Sequence, residues 1–190
     1  MRPGSCCALV LVLAAFLSGC QDDSEPDDGP ASAHALPEDL CAEVPGSYAS
    51  QWRLAETDHA TENADDTSTA SCTMTGERAG EPVTFSVAIT TYGDSAEESA
   101  DDRMAAALET ACLELEGSAA GELESDDTRC NVRTPAEPVE LRGSVRDISR
   151  MVGIAGVMSI EMAHHGEAWQ GVAPDVEGIA ASINSAIGSP

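Results

Sequence analysis

The residues that invite a catalytic reading sit near the C-terminal end. His164 and His165 follow Glu161, and Asp175 comes ten positions after His165. Imidazole beside carboxylate is the raw material of general acid–base chemistry or of a metal site. Neighbouring strand residues point to opposite faces, however, so the two rings cannot easily share one ion, and Glu161 shares a face with His165 only. Ser118 lies in Gly-Ser-Ala-Ala-Gly, one position away from the G-x-S-x-G elbow and after a helix rather than a strand. The pairs Asp101–Asp102 and Asp126–Asp127 are two of many that 34 acidic residues would produce by chance. His34 and His59 fall in segments that read as tether and loop. The sequence contains neither an H-E-x-x-H helix nor a phosphate-binding loop. The expectation is a non-catalytic protein without metal or cofactor. An enzyme would require two or three of His164, His165, Glu161 and Asp175 to converge in one cleft.

The thiols tell more. Cys41, Cys72, Cys112 and Cys130 stand 31, 40 and 18 residues apart, with no C-x2–4-C pair among them. That spacing disfavours zinc and favours two disulfides in an exported domain. Three pairings are open; Cys41–Cys72 with Cys112–Cys130 is preferred because each closes the shortest loop. Each bridge would stabilise the fold by roughly 3–4 kcal/mol by restricting the unfolded chain.

Upstream, Arg2 precedes an apolar run from Cys6 to Leu17, which ends in Leu17-Ser18-Gly19-Cys20. The run has the length of a secretory signal core and is too short to span a bilayer as a mature helix. The next residues, QDDSEPDDGPASAHA, are acidic and almost free of large apolar side chains. Such a segment cannot offset its chain entropy by burial, so residues 20–35 read as a disordered tether and 36–190 as one domain. Nine arginines, no lysine and a net charge of -25 leave no cationic surface for nucleic acid or anionic lipid.

Positioning these residues falls to a small set of expected elements. A helix is expected over Pro37–Val44 and an edge strand over Tyr48–Leu54, with a loop at His59–Thr69. Ser71–Glu77 and Val83–Tyr92 read as a hairpin, because Val83, Phe85, Val87 and Ile89 alternate with polar or small residues. Ser95 and Glu98 form a capping box for a helix reaching Glu116, with Met104, Leu108, Ala111 and Leu115 as its apolar stripe. The stretch SAAGELESDDT reads as polar connection. Strands are expected at Val139–Ile148 and Met151–Ala163, the second with Val152, Ile154, Met158, Ile160 and Met162 on one face. A last helix opens at Pro174 and buries Val176, Ile179, Ala180, Ile183 and Ile187. The order α-β-β-α-β-β-α predicts an α+β fold, an antiparallel sheet covered by amphipathic helices. Residues 71–116 and 139–187 read as two related halves.

Leu17 to Cys20 resembles the lipobox of bacterial lipoproteins, which implies cleavage after residue 19 and lipidation of Cys20. The whole layout resembles small lipoproteins of actinobacteria, with the lipobox, the acidic tether, Pro37 to Cys41, and Cys72 as the shared features. Several of those families have PsbP-like α+β domains and no assigned chemistry. The Cys112 and Cys130 pair has no counterpart in that pattern. The resemblance implies a lipid-anchored protein on the extracytoplasmic face of the cell membrane, acting as a binding or accessory module for an envelope protein or a small ligand. A structural envelope-assembly role is the alternative from another class. Trp169, in a Gly-bounded segment before the last helix, and Trp52 are the candidate contact residues, with Tyr48 and Tyr92 as further aromatics. Five aromatics downstream of Cys20 are too few for an extended sugar-stacking platform.

Overall fold

The computed structural model describes residues 30–78, 80–118, 121–134, 142–165 and 172–188. Cys20, Trp169 and the signal-like segment lie outside the described residues. One 3-10 turn (Leu40–Glu43) and a short helix α1 (Gly46–Gln51) lead into strands β1 (Ala55–Glu62), β2 (Thr67–Arg78) and β3 (Glu81–Tyr92). Helix α2 (Ala100–Ser118) is followed by β4 (Glu122–Asp126), β5 (Arg129–Thr134), β6 (Arg142–Arg150), β7 (Gly156–His165) and α3 (Val172–Ile187). The strands form one antiparallel seven-stranded sheet in the order β1-β2-β3-β7-β6-β5-β4. An antiparallel α+β fold is therefore observed, but with seven strands instead of the four in the expected α-β-β-α-β-β-α order or the five that count the expected edge strand.

The hydrophobic pattern explains which parts were legible. On β3, Val83, Phe85, Val87 and Ile89 are all buried, and on α3 the five expected residues are buried against the same side of the sheet. Fully burying each large aliphatic side chain there contributes roughly 1.5–3 kcal/mol. On the opposite side, Met104, Leu108 and Leu115 of α2 pack with Cys130, Val132, Ile148 and Val157. The two helices thus cover opposite faces, here termed the α3 face and the α2 face. Each of the two supposed halves, a hairpin followed by a helix, delivers its helix to a different side.

Several expectations are corrected. The segment expected as an edge strand at Tyr48–Leu54 is mostly α1, whose end is set by Arg53 at φ 49°. The edge strand comes later, as β1, and takes up the first part of the expected loop at His59–Thr69. Its residues AETDHATE are exposed along almost the whole length, so no alternation announces it; backbone pairing with β2 holds it. The helix expected over Pro37–Val44 is a single 3-10 turn that Asp39 caps, accepting from the Ala42 N–H at 3.2 Å. The polar connection contains the β4–β5 hairpin. Its turn is fastened by Asp126, which accepts from both the Thr128 N–H and its hydroxyl at 2.7 Å. Helix α2 is capped four residues later than expected: Ser99, not Ser95, accepts from the Asp102 N–H at 3.2 Å and donates its hydroxyl to the Asp102 carboxylate. Ser95 accepts from Glu97 and Glu98 in the preceding turn. Residues 151–155 form a turn with Gly153 at φ 86°, so exposed Val152 leaves the buried row of Met158, Ile160 and Met162.

The start of the domain is tied down early. Ala31 donates to Asp94 at 2.8 Å, Ala33 donates to the Asp65 carbonyl at 2.8 Å, and Leu36 is buried.

Candidate functional site

Both disulfides join covering segments to the sheet. Cys41 bonds Cys72, linking the 3-10 turn to β2, and Cys112 bonds Cys130, linking α2 to β5. This is the preferred pairing. The second bridge pins α2 over the β5 side of its face, so the helix meets the β3 side without a covalent link.

There a groove of about 580 Å³ opens between α2 and the sheet. Ala88, Ser159 and Val157 lie on its floor; Ala107, Ala111 and Leu115 come from the helix. Strand alternation puts these floor residues opposite the buried row of β3 and β7. Arg146 donates to Glu161 across adjacent strands, with nitrogen–oxygen distances of 3.0 and 3.2 Å. Tyr92 closes another part, with the Arg103 guanidinium 5.5 Å from its ring centroid. Burial pushes the Tyr92 phenol above its ordinary pKa, and the Arg103 guanidinium opposes that rise. Apolar helix residues beside a fixed charge pair and hydroxyls are the makings of a small-molecule site. Beyond the groove, Thr69, Ser71 and Thr75 of β2 and Thr84 of β3 are exposed, so the α2 face is a hydroxyl-rich surface there.

The aromatic candidates fare differently. Trp52 is fully buried, donates its indole N–H to Asp175 at 2.8 Å and carries the Arg78 guanidinium 4.2 Å above its ring. Gln51 donates to the same Asp175 oxygen at 2.8 Å. Trp52 is therefore an anchor between α1, β2 and α3, with no surface for a ligand to reach. Tyr48 packs against the core, and Gly178 leaves it room: a Cβ at 178 would lie 2.0 Å from the Tyr48 hydroxyl.

Of the residues in the enzymatic reading, the two whose side chains are described, Glu161 and Asp175, lie apart. Glu161 pairs with Arg146 on the α2 face, whereas Asp175 belongs to the Trp52 junction on the other side of the sheet. His164 and His165 are placed in β7 opposite Val83 and Arg142 in register; their side chains lie outside the described residues.

A carboxylate that drew no attention in the sequence is Asp147. It is buried on the α3 face and bonded by Arg129, which also reaches Glu177 at 3.3 Å. Burial pushes the Asp147 carboxyl above the usual range, and the Arg129 contact opposes that rise. A polar residue within the VRDIS run of β6 was the available signal, because strand alternation turns Asp147 toward the same face as Val145.

No protein-family model, curated protein or solved structure matches the chain. Among the described residues, no helix is long and apolar enough to cross a membrane.

Proposed function

We propose that the chain is a cell-surface lipoprotein, lipidated on Cys20, that holds a non-catalytic binding module at the outer face of the cell membrane. The α2 groove is where this module takes a small ligand. The groove carries the reading: its volume is in the range of small-molecule sites, it pairs apolar walls with a few fixed polar groups, and both flanking elements are disulfide-stabilised or central to the sheet. The sequence supplies the rest, through Leu17 to Cys20 and the acidic residues that follow. Anchoring would act by confinement, raising the module's local concentration near membrane-bound partners.

Two experiments test this. Cys20→Ala should abolish palmitate labelling and release the protein from the membrane fraction; labelling retained in the variant would remove Cys20 as the lipidated residue, and an unlabelled wild type would remove the lipid anchor. Native mass spectrometry of protein taken from its own envelope should show a reproducible added mass that Ala88→Trp, which fills the groove floor, eliminates. An unliganded wild-type mass, together with envelope crosslinks that Ala88→Trp leaves unchanged, would favour the envelope-assembly role instead.

A further inference from the structure

The first part of the molecule holds a second feature, independent of the groove. Strand β1 carries a bulge between Glu56 and Asp58: Glu56 stands opposite Met74, whereas His59 stands opposite Cys72. In a regular strand, residues three apart face opposite sides. The extra residue instead brings Glu56 and His59 to the α3 face together, which is the re-aiming that edge bulges perform. Their side chains meet, with Glu56 Oε1 2.5 Å from His59 Nδ1. Asp39, at the start of the 3-10 turn, completes the group. Ligand atoms of all three residues lie within 4.8 Å of one another.

We propose that Asp39, Glu56 and His59 form a surface site for a divalent first-row transition-metal ion. One imidazole and two carboxylates suit zinc and its neighbours, and a three-residue set leaves coordination positions to water or to a partner's ligand. Drawing the donors onto an ion at roughly 2 Å needs only side-chain movement, because their backbones are already fixed. The Cys41–Cys72 bond does the fixing: Asp39 lies two residues before Cys41, and His59 is the cross-strand neighbour of Cys72. The bridge therefore clamps the two donor-bearing segments together before any metal arrives. Binding would replace the His59–Glu56 contact with bonds to the ion and clip the edge strand to the turn.

The test is calorimetric titration of zinc chloride into the metal-stripped, oxidised full chain in detergent. The site gives one saturable binding event, weakened about ten-fold or more by His59→Ala. Asp58→Asn, which removes a neighbouring charge but no ligand, leaves the affinity within about two-fold and controls for general attraction to an acidic surface. Zinc should also perturb the His59 imidazole resonances at one equivalent. The absence of a saturable event, or equal affinity in wild type and His59→Ala, would overturn the proposal.

Discussion

Single side chains carry distinct electrostatic loads, and two of them set opposite pH dependences. The Asp94 carboxylate accepts from the backbone N–H groups of Ala31 and Ala100, which hold its pKa below the ordinary carboxylate value. Its contribution is present above that ordinary value and is lost as pH falls through the lowered pKa. Asp147 behaves the other way. Burial raises its pKa, so the stability linked to its neutral form is present at low pH and lost as pH rises through the folded value. Asp94→Asn should therefore reduce the acid-side loss of stability, and Asp147→Asn should reduce the loss on the rising limb; urea unfolding across pH 2–7 reads both. Arg129→Met leaves Asp147 buried without its partner and should destabilise by about 2 kcal/mol, a value tempered by the partial exposure of Arg129. Arg133→Met, at an exposed contact 3.8 Å from Glu177, should cost about 0.5 kcal/mol or less in the same assay.

At the scale of elements, the caps and close approaches decide where segments begin and how near they lie. Ser99 is the cap of α2, so Ser99→Ala should cost about 1 kcal/mol of stability in equilibrium unfolding. Gly76 of β2 runs under the chain leaving α1: a Cβ there would lie 2.3 Å from the Trp52 carbonyl oxygen. Gly76→Ala must shift backbone, and a loss of about 1–3 kcal/mol is expected, with perturbed Trp52 fluorescence as a local readout. The elements that carried periodic apolar residues, β3, α2 and α3, could be read from the chain because burial on one face imposes that period. Strand β1 could not, since almost all of its side chains are exposed and its place is a matter of backbone pairing. The β4–β5 hairpin hid behind Glu122, Glu124 and Asp126, although Leu123, Cys130 and Val132 belong to the buried α2 face.

For the whole molecule, the two disulfides and the one wide sheet set the stability. Separations of 31 and 18 residues correspond to about 3–4 kcal/mol each in the chain-entropy account, the longer loop giving slightly more. Thermal unfolding of Cys41→Ala/Cys72→Ala and of Cys112→Ala/Cys130→Ala should show losses of that order. The second pair should also loosen α2 and lower ligand retention in the groove, whereas the first should leave the groove intact. A loss of ligand in the first pair alone would break the link between the Cys112–Cys130 bond and the groove.

Local chemistry was enough to settle the even number of cysteines beyond Cys20, the apolar stripes of α2 and α3 and the α+β class, because each depends on residue type and short-range period. Which cysteines meet, which face each helix covers, and the placing of Asp39 beside Glu56 and His59 depend on strand order and on one bulged residue. Those are long-range choices of pairing, and neither periodicity nor composition encodes them. The groove is decided in the same way. Its floor residues are small and unremarkable along the chain, and they become a surface only when β3, β7 and β6 lie side by side beneath α2.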